Sequence, residues 1–386
     1  MSLAHLSVQA IRTHLPRYET SDHIPSNYVS PHPKMPEINI NPNGVLKLVQ
    51  GLKPYKAAGP DQIRPLVLKE LSAEISPILS HLFQKSLRDG KMPDEWRQAN
   101  VVPIYKKGPK HLASNYRPVS LTCVCCKVFE HIVASNMMRH LEGNKILNGK
   151  QHGFRAKHSC ETQLVELVHE LHKIIQSGQQ TDLVVMDFSK AFDKVSHPRL
   201  LYKLEWYGVR GQTYNWIRDF LHNRSQQVIL QGKQSDTSWV SSGVPQGSVL
   251  GPILFLIYIN DLPDCVTSQV RLFADDTIVY RKIKDHRDEA ILQKDLSSLE
   301  EWENQWQMEF HPGKCQVIRV TKALKPKDTE YYLHGHKLDI VSSAKYLGLT
   351  IQKDLKWNTH INQVISKGNR TLGMLRRNLK ISSPSI

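Results

Sequence analysis

Residues 271–281 have the sequence RLFADDTIVYR, in which two short apolar runs flank Ala-Asp-Asp. This pattern predicts a β-hairpin with two acidic residues, Asp275 and Asp276, at its turn. About ninety residues earlier, TDLVVMDF (181–188) predicts a buried strand that carries another acid, Asp187, at its end. If the two strands are neighbours, the three carboxylates cluster at the rim of one sheet.

A cluster of three carboxylates has a clear chemical consequence. Carboxylates close together repel one another, and the arrangement is costly unless a cation neutralises them. Ligands that are all oxygens favour Mg²⁺, with Mn²⁺ as the alternative. Two such ions about 4 Å apart activate a hydroxyl and stabilise a leaving pyrophosphate. A purely structural interpretation competes with this one, because an isolated Asp-Asp is common in hairpin turns and Asp187 is compatible with a strand-end cap.

The distribution of charge favours a polyanionic partner. The chain has 386 residues and a net charge of +15. Residues 53–117 and 353–380 together carry +12 of that charge. Concentrated positive charge suits a surface that follows a phosphate backbone, because binding releases condensed counterions and becomes salt-sensitive. A basic surface that serves only solubility is the alternative.

Other classes of protein are not expected. Cys123 and Cys126 have C-x-x-C spacing, but no second such pair and no histidine pair at zinc-finger spacing lies near them in the sequence. We therefore predict reduced thiols of an intracellular protein, nuclear or cytoplasmic, rather than a zinc site or a disulfide framework. The first twenty residues lack the apolar core of a signal peptide. The longest apolar run, 249–259, is too short to span a bilayer and contains Gly251 and Pro252. No membrane association is therefore expected.

The remaining patterns alternate between helix and strand and predict an α+β fold. Helices are expected at 45–52, 67–71, 75–87, 161–176 and 291–302, and a strand pair at 101–107 and 116–122. Residues 1–43 are polar and rich in proline, which predicts an extended leader or linker. Residues 361–380 predict a basic amphipathic helix whose apolar stripe packs on the protein.

Eight sequence blocks decide between the metal-binding and the structural interpretation. They are AAGPD (57–61), NYRPVSL (115–121), QHGFR (151–155), MDFSKAFDKVSH (186–197), GVPQGSVLGPILF (243–255), FADD (273–276), HPGKC (311–315) together with Trp302 and Trp306, and YLGL (346–349). In kind and in order they resemble the motifs of reverse transcriptases from non-LTR, LINE-like retrotransposons. The resemblance extends from about residue 44 to the end of the chain. One block alone would carry little weight, but eight in the same order leave little room for coincidence.

The resemblance implies a right-hand polymerase fold with fingers, a palm and a partial thumb, in which the palm is an antiparallel sheet backed by helices. The implied domains are a leader at 1–43, fingers with the first palm elements at 44–160, the palm with motifs A to D at 161–345, and the primer grip with the beginning of the thumb at 346–386.

The resemblance also assigns roles around the acids. It implies that Asp187 and Asp275 are the principal metal ligands, that Asp276 is a third acid at the site, and that the carbonyl of Phe188 adds a neutral oxygen. Phe192 is expected beneath the sugar of the incoming nucleotide, where its ring leaves no room for a 2′-hydroxyl. The alternative for Phe192 is an ordinary core aromatic residue.

Further residues are implied to hold the nucleotide. Gln246 is assigned to nucleotide positioning and Gly247 to backbone clearance, at the start of an expected helix with free N–H groups. Arg117, with Lys106 or Lys107, would clamp the triphosphate, since arginine offers a bidentate fork and lysine a point charge. The sequence does not distinguish the two lysines, which are also compatible with solvated positions at a strand end.

Three further residues near these motifs have assignments of their own. Lys314 is the candidate general acid for the leaving pyrophosphate, with an ordinary surface lysine as the alternative. Asp193 follows Phe192 closely, and we interpret it as a structural hydrogen-bonding acid rather than a metal ligand. His197 is expected at the start of a helix and not at a metal site.

The implied reaction is attack by the 3′-hydroxyl of a DNA primer on the α-phosphorus of a dNTP, directed by an RNA template held through its backbone and 2′-hydroxyls. Endonuclease activity would have to come from another polypeptide. One competing hypothesis is an RNA-templated RNA polymerase or an intron maturase, although Phe192 argues against ribonucleotide use. The other is a catalytically silent nucleic-acid-binding relic, whose basic segments would explain binding without chemistry.

Overall fold

The computed structural model describes residues 30–379 and divides the chain into two compact units. Within the described part, unit 1 contains residues 30–149, 189–262 and 303–309, and unit 2 contains residues 150–188, 263–302 and 310–379. Helices and sheets are mixed in both units, which confirms the predicted α+β class. Residues 1–29, which are most of the expected leader (1–43), lie outside the described residues.

The helices form where the sequence patterns predict them, and additional helices lie between. In chain order they are α1 Pro42–Gln50, α2 Pro65–Glu70, α3 Ser72–Asp89, α4 Val124–Gly143, α5 Cys160–Gln176, α6 Ala191–Lys194, α7 His197–Trp206, α8 Gln212–Leu221, α9 Leu250–Tyr258, α10 His286–Trp306 and α11 Asn358–Asn378. Local chemistry sets their ends. The Asn41 side chain accepts a hydrogen bond from the N–H of Gly44 at the start of α1, and Ser159 with Thr162 forms a capping box on α5. Gly90 ends α3 in the left-handed conformation, with φ of +62°.

The strands of the described residues are, in chain order, β1 Gln98–Tyr105, β2 Tyr116–Leu121, β3 Gln180–Met186, β4 Arg224–Leu230, β5 Lys233–Gln234, β6 Ser238–Val240, β7 Gln269–Phe273, β8 Asp276–Ile283, β9 Gln316–Val320, β10 Tyr332–Leu333, β11 His336–Lys337, β12 Asp339–Val341, β13 Ser343–Tyr346 and β14 Leu349–Gln352. In unit 1 the sheet order is β2-β1-β4-β5, with β6 also paired to β4. The predicted pairing of β1 with β2 is confirmed as antiparallel, and β1 pairs with β4 in parallel.

An aromatic cluster forms much of the core of unit 1. The ring of Phe129 stacks on Phe83 with centroids 4.8 Å apart and packs against Trp216 at 4.6 Å. The indole N–H of Trp216 donates to the hydroxyl of Ser86 at 3.0 Å, so its one polar atom is satisfied despite complete burial. Truncating a ring in such a cluster to alanine typically costs about 3–5 kcal/mol.

Unit 2 contains the sheet that carries the acids. Its strand order is β12-β9-β3-β8-β7, and the central strand β3 pairs antiparallel with both β8 and β9. The predicted hairpin is confirmed, since β7 pairs with β8 and Phe273 lies opposite Asp276 at its tight end. The apolar stripe of α5 packs in one core cluster with residues of β3 and β8, including Leu171, Leu183 and Ile278.

The C-terminal helix α11 forms as predicted, but its apolar stripe is not buried. Ile361, Val364 and Leu372 are 50%, 55% and 46% exposed, so the expected packing of this stripe on the protein is wrong for the described residues. The last residue of the predicted helix, Lys380, lies outside the described part. Between residues 30 and 379, no helix has both the length and the apolar composition needed to cross a membrane.

Candidate active site

The sheet register of unit 2 brings the three predicted acids to one end of the strands. The last pair between β3 and β8 joins Met186 to Thr277. The next residues along, Asp187 and Asp276, therefore lie side by side, and Asp275 occupies the hairpin turn beside them. The backbone carbonyl of Asp187 accepts a hydrogen bond from the N–H of His311 at 2.8 Å, which anchors the end of β3.

The pKa of Asp276 is affected by its closeness to the other two acids. Partial burial, together with the charges of Asp275 and Asp187, raises the pKa of the Asp276 carboxyl to about 6. Both neighbouring charges act in the same direction, because a second and third negative charge disfavour ionisation. The end of the sheet is therefore a region of concentrated negative potential.

Lys314 lies directly at this acid cluster. Its Nζ is 3.0 Å from Oδ2 of Asp187, and both side chains are about half exposed. A short 3₁₀ turn, Pro312–Lys314, places the lysine just before β9. Phe188 follows Asp187, and its ring stacks on Phe310 with centroids 4.1 Å apart. The predicted general acid and the predicted ligands are thus assembled in one unit.

The donor set is suited to a hard cation, although the carboxylates do not form a preformed cage. Among residues 30–379, no three acidic, histidine or cysteine side chains are arranged to enclose a metal ion. Aspartate oxygens are the ligands that Mg²⁺ prefers, and their mutual repulsion is what a bound cation would relieve. In this structure the ammonium group of Lys314 provides part of that compensation at Asp187.

The raised pKa of Asp276 predicts a pH-dependent stability effect in metal-free protein. A carboxyl whose pKa is higher in the folded than in the unfolded state stabilises the fold at acidic pH, and this contribution is lost as pH rises from about 4 through about 6. A shift of this size in a fully buried group corresponds to about 3 kcal/mol, but Asp276 is only partly buried and its side chain remains open to water. Screening by water reduces the expected effect to about 1 kcal/mol.

We therefore expect Asp276→Asn to raise the midpoint of thermal unfolding in EDTA at pH 7.5 by about 2 °C and to have no effect near pH 4. Differential scanning calorimetry at both pH values measures the difference. Asp328→Asn, at an exposed acid of the same unit, is the matched control. A stabilisation that is larger at pH 4 than at pH 7.5 contradicts the assignment.

In unit 1, the loop that contains Gln246 is held by two hydrogen bonds. Nε2 of Gln246 donates to Oδ1 of Asp193 at 2.9 Å, and its backbone carbonyl accepts from the N–H of Ser120 on β2 at 2.7 Å. Burial raises the pKa of Asp193, whereas the Gln246 hydrogen bond and the charges of Lys190 and Lys106 lower it. Asp193 therefore acts as a hydrogen-bond acceptor that orients Gln246.

The glycines of this loop are required by neighbouring backbone. Gly247 has a φ of +111°, and a Cβ there would lie 2.7 Å from the carbonyl oxygen of Ser120. A Cβ on Gly243 would lie 2.7 Å from the carbonyl oxygen of Asp193. The close approach at Gly247 is thus to β2, whereas the sequence interpretation placed a ligand there.

The expected helix start at Gln246 is wrong. Helix α9 begins at Leu250, four residues later, and the N–H groups of Val249 and Leu250 donate to Oε2 of Glu130 at 2.7 and 3.0 Å. These N–H groups are consequently not available to a nucleotide. The sequence interpretation missed Glu130, which is fully buried on α4. Its position among the apolar residues of that helix was the available signal.

The other predicted nucleotide-binding residues also lie in unit 1. Phe192 stacks on Phe255 with centroids 4.4 Å apart and is only partly buried. Arg117, on β2, lies opposite Ile104 of β1 and is exposed. Lys106 and Lys107 directly follow β1 and are exposed. A cavity of about 60 Å³ lies beside these elements, and its lining includes Ser120, Asp193, Arg224, Trp239 and Gln246.

His197 has the structural position that the sequence predicts. It begins α7, and its ring Nε2 lies 2.8 Å from the carbonyl oxygen of Gly243. Burial lowers the pKa of its imidazole to about 4, so the ring is neutral at physiological pH. Its contacts are those of a buried core histidine.

Comparison with known proteins gives a consistent set of relatives. The chain is 30% identical, over 83% of its length, to the "RNA-directed DNA polymerase from mobile element jockey" of Drosophila funebris. It is 28% identical to two Drosophila melanogaster proteins, the "Probable RNA-directed DNA polymerase from transposon BS" over 89% of the chain and that "from transposon X-element" over 86%. The matched regions are 36%, 39% and 37% of these relatives, so the chain spans less than two-fifths of their length.

A family model described as "Reverse transcriptase (RNA-dependent DNA polymerase)" matches residues 104–351. This range begins within β1 and ends within β14, and it includes both the acid cluster and the Gln246 loop. Because the match covers well over half of the chain, the chain belongs to the reverse transcriptase family.

Proposed function

We propose that this chain is the RNA-directed DNA polymerase of a non-LTR retrotransposon and adds dNTPs to a primer 3′-hydroxyl on an RNA template. The observation that carries the proposal is the convergence of Asp187, Asp275 and Asp276 at one end of the unit 2 sheet, where the first two charges help to raise the pKa of the third. Such a cluster is typical of a site that binds divalent cations for phosphoryl transfer.

The proposed arrangement follows the right-hand polymerase plan. The fingers with the first palm elements would comprise residues 44–160, and the β1–β2 hairpin would belong to them. The palm would comprise residues 161–345, with the β3–β8–β7 strands at its centre. The primer grip and the beginning of the thumb would comprise residues 346–386, and α11 would be the basic thumb helix.

At the acids, Asp187 and Asp275 would hold the cations, with the Phe188 carbonyl as a neutral ligand and Asp276 as a third acid. Bound Mg²⁺, or Mn²⁺ as the alternative, would lower the pKa of the primer hydroxyl and neutralise charge on the pyrophosphate. Lys314 lies 3.0 Å from Asp187, and we assign it the transfer of a proton to the leaving pyrophosphate.

The residues that we assign to nucleotide binding belong to unit 1. Arg117 offers a bidentate fork for the triphosphate. Lys106 is the better partner for it than Lys107, because the charge of Lys106 lowers the pKa of Asp193, the residue that orients Gln246.

Phe192 makes a testable contribution to sugar selection. If its ring lies beneath the sugar, a ribose 2′-hydroxyl meets it and the clash costs about 1–3 kcal/mol. We expect Phe192→Val to raise the use of NTPs relative to dNTPs by roughly tenfold to a hundredfold. The ratio of kcat/KM for each NTP and its matching dNTP, measured by single-nucleotide extension, reports the change.

A change in sugar selection has to be distinguished from a loss of stability in unit 1. Phe83→Leu removes volume from the aromatic core and serves as the control, since it is expected to lower stability without changing sugar selection. An unchanged NTP to dNTP ratio in Phe192→Val would make Phe192 an ordinary core residue, stacked on Phe255.

Primer extension on poly(rA)/oligo(dT), with Mg²⁺ and separately with Mn²⁺, tests the proposed function. Extension with dTTP on the RNA template supports a reverse transcriptase. The competing hypothesis, a silent nucleic-acid-binding relic, is favoured by the basic exposed residues of α11, among them Lys367, Arg370 and Arg376. Tight, salt-sensitive RNA binding without extension in either metal would support that hypothesis instead.

A further inference from the structure

The backbone that carries the catalytic acids adopts an unfavourable conformation. Ala274, immediately before Asp275, has a φ of +53°. This left-handed region is unfavourable for residues with a Cβ, because the Cβ approaches a neighbouring carbonyl oxygen, and it costs about 1–2 kcal/mol. Such a conformation persists only where surrounding contacts fix it.

The side chain of Gln151 supplies those contacts. Its Oε1 accepts a hydrogen bond from the N–H of Ala274 at 2.9 Å, and its Nε2 lies 3.5 Å from the carbonyl oxygen of the same residue. One amide side chain thus faces both polar groups of Ala274, as a neighbouring strand would. Gln151 is 2% exposed, so water does not compete for these hydrogen bonds.

Gln151 is itself held firmly in unit 2. Its Oε1 also accepts from the N–H of Gly153 at 2.7 Å, and its backbone forms a bridge with Leu272 of β7. The N–H of Leu272 donates to the carbonyl of Lys150 at 3.1 Å, and the N–H of His152 donates to the carbonyl of Leu272 at 2.9 Å. Gln151 therefore holds the turn from a fixed position beside β7.

Gly153 shows how closely the two segments approach. A Cβ at this position would lie 2.3 Å from the backbone nitrogen of Ala274. Any other residue would push the 151–153 segment away from the turn and break the hydrogen bonds of Gln151. The absence of a side chain at Gly153 therefore allows the 151–153 segment to lie this close to the hairpin turn.

We infer that Gln151 is a positioning residue that fixes the turn at Ala274 and thereby sets the direction of the Asp275 and Asp276 carboxylates for cation binding. The inference rests on the proposed function only in its last step, the binding of cations. Since the carboxylates do not form a closed cage by themselves, the orientation of the turn determines how readily they converge on an ion.

The test uses the full chain and a substitution that keeps side-chain volume. Gln151→Met retains the bulk of the side chain but loses both hydrogen-bonding groups. Gln180→Met is the matched control, because Gln180 is also buried in unit 2 and hydrogen-bonded through both amide atoms, but lies at the opposite end of β3 from Asp187. Gln151→Glu retains the acceptor oxygen that faces the two N–H groups.

Two readouts apply to each variant in the absence of nucleic acid. Hydrogen exchange measures protection of the Ala274 amide, and electron paramagnetic resonance titration measures the dissociation constant for Mn²⁺. We expect Gln151→Met to accelerate exchange at Ala274 and to weaken Mn²⁺ binding about tenfold. Gln180→Met should change neither, and Gln151→Glu should retain protection at Ala274. Adding Ala274→Gly to Gln151→Met should recover part of the Mn²⁺ affinity, because glycine adopts the left-handed conformation without strain.

The outcomes separate this inference from the proposed function. Unchanged exchange at Ala274 in Gln151→Met, or equal Mn²⁺ weakening in Gln180→Met, overturns the positioning role. Accelerated exchange at Ala274 in a protein whose wild type binds no Mn²⁺ retains the role of Gln151 in the turn, but overturns its link to cation binding and contradicts the proposed metal site.

Discussion

Asp275→Asn is expected to reduce primer extension by at least about 10³-fold while leaving nucleic-acid binding nearly unchanged. The substitution keeps the size of the side chain and removes its charge, so the hairpin turn between β7 and β8 should form normally. What is lost is one of the two anionic ligands that we propose for the cations, and removing a single group that stabilises developing charge typically costs 10²- to 10³-fold or more. Rates of single-nucleotide extension at saturating dTTP measure the effect.

Two controls make this result specific to the acid cluster. Asp328→Asn removes an exposed acid of the same unit, 2.8 Å from Arg319, and should extend primers as the wild type does. Filter binding of the RNA–DNA duplex should give similar dissociation constants for wild type and Asp275→Asn across salt concentrations. Extension by Asp275→Asn at more than a tenth of the wild-type rate would contradict the placement of the metal site at FADD.

The hairpin and its neighbouring strand could be predicted because their signals are local. The short apolar runs on both sides of Ala-Asp-Asp define β7 and β8, and the apolar run before Asp187 defines β3. The sequence did not predict that β3 pairs with β8, so the acid cluster could be predicted only on the condition that the two strands are neighbours. The register that places Met186 opposite Thr277 depends on contacts between distant segments, which no local pattern specifies.

The start of α9 shows where the sequence misleads. The sequence analysis placed Gln246 at the start of a helix, but Gly247 and Ser248 belong to a turn that precedes α9. The φ of +111° at Gly247 explains why the helix does not extend backward through it. The helix begins only at Leu250, whose N–H donates a hydrogen bond to Oε2 of Glu130.

Lys314 and Gln151 illustrate a second limit. Gln151 lies in the QHGFR block and Lys314 in HPGKC, but each side chain contacts atoms far away in the chain. Lys314 contacts Asp187, and Gln151 contacts Ala274 across 123 residues. Spacing in sequence does not specify such pairs, and only the three-dimensional structure shows which groups the two side chains contact.

Glu130→Ala is expected to lower the free energy of unfolding by about 3 kcal/mol. Oε2 of Glu130 accepts from the N–H groups of Val249 and Leu250, and the side chain is fully buried. Burial raises the pKa of Glu130, whereas these two N–H groups and the charge of Arg224 lower it. Alanine would leave two N–H groups without a partner, at about 1–3 kcal/mol each.

Two further variants distinguish the loss of hydrogen bonds from the loss of charge. Glu130→Gln keeps an oxygen acceptor for the two N–H groups and should recover at least half of the stability measured by urea denaturation. Glu74→Ala, at an exposed acid of α3, should change stability by less than about 0.5 kcal/mol. Both variants remove the negative charge of Glu130, but only Glu130→Ala also removes the hydrogen-bond acceptor. If Glu130→Gln is as unstable as Glu130→Ala, the interaction of that charge with Arg224 is therefore the dominant one.

Glu130→Ala is also expected to affect nucleotide binding, because Gln246 lies only four residues before the start of α9. A destabilised helix start should raise KM for dTTP more than it lowers kcat.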